Sequence, residues 1–145
     1  MAITIPRHEA DLPKWYEAMT QRWNDLPEHL QARLTTIDNT PTTLLSVPIP
    51  AGAVYLFDWE VLARQAAGSG TVGDGLVYRG HVAIHLVGST ATLIGSAVTQ
   101  LSVKDDASWA VAVAGSGNQC VWTVTGNTAK TIGWRVDVNT RRITN

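Results

Sequence analysis

Few residues of this chain could do chemistry, and their spacing decides how each is read. Asp58 and Glu60 lie two apart in the run 53–65, so a strand there puts both carboxylates on one face. Such a pair could serve as acid and base in glycoside cleavage. An ion pair across a sheet needs the same placement, and Arg79 or Arg135 could supply the cation; this structural role is the stronger expectation. His81 and His85 repeat at i and i+4, which on a helix would suit one metal ion. Their context alternates like a strand, where four residues span about 13 Å. Two nitrogens bound to one zinc must each sit within ~2.1 Å of it, so these histidines are expected at solvent or at an interface. His8 and His29 have no cysteine or carboxylate pattern around them.

Gly68, Gly70 and Gly73 match the glycine spacing of a dinucleotide-binding turn. That turn works because the helix after it points its amides at the pyrophosphate. Strand patterns stand on both sides here, which predicts a plain loop. A kinase-type glycine loop would need a lysine in the next strand, and the lysines are Lys14, Lys104 and Lys130. Asp105 and Asp106 share a turn without the further oxygen ligands of a calcium loop, so a side-chain-to-backbone turn is expected. Ser116 sits in GSG between strands rather than in a nucleophile elbow. Cys120 is the single cysteine, with no disulfide partner or thiolate metal set. The sequence therefore predicts no catalytic residue, no metal and no cofactor: the chain is not expected to be an enzyme.

The 145 residues suit one domain, and a net charge of −1 gives no electrostatic case for nucleic acid or an anionic membrane. Arg135, Arg141 and Arg142 are too small a basic cluster for a nucleic-acid footprint. No stretch approaches the ~20 apolar residues of a membrane span, and MAITIPRHEAD lacks a basic-then-apolar signal pattern. Charged residues make up 16% against 45% hydrophobic, a balance that leaves apolar surface for other subunits to cover.

Two rhythms divide the chain. Over residues 1–34 the period is near 3.6, and Leu12, Trp15, Tyr16, Met19, Trp23 and Leu26 fall on one helical face. Asp11 is a candidate N-cap, Pro13 suits the first turn, and Pro27 is placed to end the helix. The expected element is a helical arm whose aromatic face docks on a partner. From about Thr35 the period is two. Tyr55, Phe57, Trp59 and Val61 share one face, as do Leu76, Tyr78, Val82, Ile84 and Leu86. Segments 109–113, 120–124 and 132–138 repeat the pattern with Trp109, Cys120, Trp122, Ile132, Trp134 and their valines. With 43–47 and 91–103 added, about seven or eight strands are expected over 35–145, which predicts a mainly β antiparallel sandwich of jelly-roll type. Val54, Leu56 and Leu62 oppose the aromatic row of their own strand. A lone sheet should show water a polar face, so these three are candidates for a subunit interface.

From Pro41 onward the residues resemble a β-domain of bacteriophage structural proteins, tail-fibre and head-fibre proteins among them. The resemblance is carried by PTTLLSVPIPAGAVYLFDWEVLAR (41–64), the GDG at 73–75, TATLIGSAVTQ (90–100) and KDDASWAVAVAGSGNQCVWTVTGNTAKTIGWRVDV (104–138). It implies a trimeric β-sandwich that belongs to the virion and has no enzymatic activity. The leading expectation is a homotrimeric capsid decoration, or cement, protein whose arm grips the major capsid protein. An alternative is a tail-fibre or spike domain that binds a host receptor through loops such as 68–75. A reading from another class is a carbohydrate-binding sandwich with Trp59, Trp109, Trp122 or Trp134 as sugar platforms, although strand alternation assigns these to the core.

Overall fold

The computed structural model describes residues 26–144, which form two antiparallel sheets and, among the described residues, no helix. In chain order the strands are β1 (His29–Thr36), β2 (Thr42–Pro48), β3 (Ala53–Gly68), β4 (Gly75–Val87), β5 (Thr90–Leu93), β6 (Val98–Lys104), β7 (Ala110–Ser116), β8 (Gln119–Thr125) and β9 (Lys130–Thr144). The larger sheet runs β1-β9-β3-β4-β5, with β6 also paired to β4; the smaller runs β2-β8-β7. The mainly β expectation holds. The jelly-roll type is not what the strand order gives: β1 pairs β9 in one sheet and β2 pairs β8 in the other, but β3 and β4 then pair within one sheet. The predicted strand count is low because 91–103 holds two strands, broken at Gly95, and because β1 begins well before Thr35.

Strand β1 corrects the end of the predicted helical arm. Leu30, Ala32, Leu34 and Thr36 alternate with His29, Gln31, Arg33 and Thr35, and β9 captures that alternation with Leu30 opposite Val138 and Leu34 opposite Trp134. Pairing against a strand this apolar outweighs the weak helical spacing of Leu30 and Leu34. Leu26 is partly buried against this chain's own core. The helix expected further upstream, with Leu12, Trp15, Tyr16, Met19 and Trp23, lies outside the described residues.

The core fills the space between the sheets as the two-residue rhythm requires. Tyr55, Phe57, Trp59 and Val61 of β3 are buried beside Val82 and Ile84 of β4 and Ile132, Trp134, Val136 and Val138 of β9. Facing them are Leu44, Val47, Cys120, Trp122 and Val124 of the smaller sheet, with Trp109 just ahead of β7. Phe57 meets Trp122 edge-on at 5.6 Å between ring centroids, and Trp109 meets Trp134 at 6.1 Å. Truncating one such ring costs about 3–5 kcal/mol, so these contacts lock the two sheets together. Trp134 also donates its indole N–H to Thr36 Oγ1 at 2.9 Å, which ties β1 to the core. Gly80 makes room for this packing. A Cβ there would lie 2.2 Å from the Val98 carbonyl oxygen and 2.7 Å from the Trp59 ring, and the β4–β6 register shifts at that point.

Candidate functional site

The outward face of β3 presents Val54, Leu56, Asp58, Glu60, Leu62 and Arg64. Their ladder partners build the rest of the larger sheet's outer face. At one end Val54 pairs with Ile143 of β9 and His85 of β4. At the other, Leu62 pairs with Val77, and Val77 with Val103 of β6. The β4–β6 bulge puts Leu101 opposite Arg79 and Val98 opposite His81, so both join the same face although they are three residues apart. Val54 is 36% exposed, Leu62 38%, Val103 57% and Ile143 70%, while Leu56 is half-buried. The candidate interface residues Val54, Leu56 and Leu62 thus share one surface with Val98, Leu101, Val103 and Ile143.

Between the apolar ends lies a charged middle, and the carboxylates there are ion-paired. Glu60 Oε2 accepts from Arg79 Nη2 at 2.6 Å and Nε at 3.1 Å, straight across the β3–β4 ladder. Asp137 takes Arg135 through both oxygens, at 2.8 and 3.1 Å, and lies 3.3 Å from His29 Nε2. Asp58 lies 3.8 Å from Arg141. Asp58, Glu60, Arg79 and Asp137 line a cleft of about 340 Å³. Arg79 fills the partner role predicted for it, whereas Arg135 engages its own strand neighbour instead.

The remaining candidates have structural surroundings. His81 and His85 lie outward on β4, opposite Asp58 and Val54. No group of three metal-ligating side chains occurs among the described residues. Gly68, Gly70 and Gly73 all take positive φ in the β3–β4 turn, which the buried Gln65 pins by donating to Ser69 O at 2.7 Å. Asp106 forms the expected turn, accepting from Ser108 N at 2.9 Å, and also accepts from Lys130 Nζ at 2.6 Å. Lys130, then Ser108, holds its carboxyl well below the usual carboxylate range. Burial pushes the Cys120 thiol up to about 12. Trp59, Trp109, Trp122 and Trp134 are all buried, so none offers a face to a sugar.

The sequence reading missed a basic cleft of about 460 Å³ at the β1–β9–β3 corner of the same face, lined by Arg33, Arg64, Arg135, Leu62 and Gly133. The signal was the shared parity of Arg135, Gly133 and, across the ladders, Arg33 and Arg64, but it is visible only once 29–36 is a strand.

The smaller sheet presents an ordinary outer face. Ala112 pairs with Thr123 and Thr123 with Thr43; Ala114 pairs with Val121 and Val121 with Ser46. None of the large exposed apolar side chains among the described residues belongs to β2, β7 or β8. No helix among the described residues is long and apolar enough to cross a membrane.

No protein-family model matches the chain, and neither does any curated protein. Solved structures similar to it include the tailspike protein of Acinetobacter phage vB_ApiP_P1, at 17% identity and a TM-score of 0.42 over 82% of this chain and 23% of that one. The tailspike of Acinetobacter baumannii phage AM24 is similar at 11% identity and a TM-score of 0.42, covering 76% of this chain and 25% of its own. A tailspike of Acinetobacter baumannii bacteriophage Fri1, a capsular polysaccharide depolymerase, is similar at 14% identity and a TM-score of 0.39, covering 88% and 23%. The chain spans about a quarter of the length of each of these tailspikes.

Proposed function

We propose that this chain is a bacteriophage virion domain that assembles as a homotrimer through the outer face of its larger sheet and serves as a tail-fibre or spike module. The observation that carries the assembly is the one-sided exposure of apolar side chains. Val54, Leu62, Val98, Leu101, Val103 and Ile143 all lie on the larger sheet and all are exposed. Fully burying such a side chain is worth about 1.5–3 kcal/mol, and since these six are 36–70% exposed, a partner that covers all of them gains part of that value at each. The resemblance of residues 41–138 to phage structural β-domains supports the virion assignment and the trimer.

A tail or spike role is preferred to capsid decoration because decoration depends on an N-terminal arm whose docking face, Leu26 apart, lies outside the described residues, and Leu26 packs on this chain's own core. The role proposed is binding rather than catalysis, supported by the ion pairs that engage Glu60 and Asp137. Sedimentation equilibrium of the full chain tests the proposal: the mass of three chains is expected, and a stable monomer at micromolar concentration would overturn it.

A further inference from the structure

We propose that His85 is an acid-operated switch for assembly: while its imidazole is neutral the outer face of the larger sheet packs on neighbouring copies, and once it is charged they separate. The proposal rests on the trimer reading above and adds a condition under which that contact opens. Among the described residues the histidines are His29, His81 and His85, and all three lie on that outer face. Histidine is the side chain whose charge ordinarily changes between about pH 5 and 8. Carboxylates and arginines ordinarily keep theirs over that range, so acid changes the charge of this face through its histidines.

The three are not equivalent. His29 Nε2 lies 3.3 Å from Asp137 Oδ1, and its Nδ1 lies 3.2 Å from Asn139 Oδ1. His81 stands opposite Asp58 in the β3–β4 ladder, with Val98 on its other side. Each therefore has a carboxylate at hand to take up a positive charge. His85 has none: its row across β9, β3, β4 and β5 reads Ile143, Val54, His85 and Thr92. The next row on this face holds Arg141, Leu56 and Ala83, and on the other side of His85 stands Val87, opposite Thr90. The charged side chain in these rows is Arg141, itself a cation. The face as a whole is already cationic, since Arg33, Arg64, Arg79, Arg135 and Arg141 outnumber Asp58, Glu60 and Asp137 on its strands. Copies that pack such faces together bring like charges closer, and a charge at each His85 adds to the repulsion. His85 is half-buried in the single chain, and beside it Val54 and Ile143 are among the exposed side chains that a neighbour would cover. A charge there would leave water without gaining a partner, which is costly.

Association that keeps the imidazole neutral releases one proton per copy in acid. The association constant for three copies then falls about a thousandfold for each pH unit below the ordinary histidine value. The half-dissociation concentration, which varies as the inverse square root of that constant, rises about thirtyfold. Sedimentation equilibrium of the full chain at about pH 8 and about pH 5.5, at one ionic strength, tests this. The parent is expected to dissociate about thirtyfold more readily in acid. His85→Gln should give the same mass at both pH values, whereas His29→Gln and His81→Gln should follow the parent. His85→Lys, which fixes a positive charge at the position, should be dissociated at both. Circular dichroism at each pH shows whether the chains stay folded. A trimer whose dissociation does not move with pH, or a His85→Gln variant as acid-sensitive as the parent, would overturn the switch and leave the trimer standing. A monomer at both pH values would remove the trimer, and the switch with it.

Discussion

The two sheets of this sandwich share one core but present opposite kinds of surface. The smaller sheet shows Ala112, Ala114, Thr123 and Ser46, small or hydroxyl side chains that water solvates without penalty. The larger sheet shows valines, leucines and an isoleucine at both ends and ion pairs in the middle. Both sheets contribute buried side chains to the one core, so core formation does not account for the difference. An outer face with this many exposed apolar side chains is the kind that marks an interaction site.

Charge placed on the two faces should separate them most sharply. Leu62→Glu combined with Val103→Glu is expected to convert the proposed trimer to folded monomer in light scattering, while Ala112→Glu leaves the mass unchanged. A smaller effect is expected from Gly80→Ala. Its new Cβ would press on the Val98 carbonyl and on Trp59, costing about 3 kcal/mol in thermal unfolding and loosening β6, which carries three of the apolar residues. Asp106→Asn should cost roughly 1–3 kcal/mol at neutral pH through loss of charged hydrogen bonds to Lys130 and Ser108. Because folding lowers the Asp106 pKa, its contribution is complete above the ordinary carboxylate value and lost as pH falls through the lower folded value. Denaturant titrations should therefore show the gap between Asp106→Asn and the parent closing in acid. Glu60→Gln should have the smallest effect on stability, about 0–1 kcal/mol, because the pair with Arg79 is half-exposed.

Much of this fold was legible because aromatic residues mark its strands. Tyr55, Phe57 and Trp59 hold one face of a long alternating run, and Trp109, Trp122 and Trp134 mark the inward face of three more segments. The outward placement of Val54 and Leu62 followed from parity alone. The Asp106 turn was legible as local chemistry, and the Glu60–Arg79 pair was one of two named possibilities. Strand β1 was hidden because Leu30 and Leu34 fit a helical period as well as a strand, and only the register with β9 decides between them. The cleft of Arg33 and Arg64 was hidden for the same reason, since its residues come from three strands that are far apart in sequence. The β6 contribution was masked by the bulge, which places Val98 and Leu101 on one face against strict alternation.

Thiol labelling compares the two outer faces most directly. Val103→Cys on the larger sheet and Ala112→Cys on the smaller are reacted separately with a maleimide over a range of protein concentrations; Cys120 is fully buried and its thiol stays protonated, so it is silent. Protection of Val103→Cys at high concentration, lost on dilution, with Ala112→Cys reactive throughout, is the predicted result. Equal labelling of both at every concentration would contradict the claim that copies of this chain cover the larger sheet.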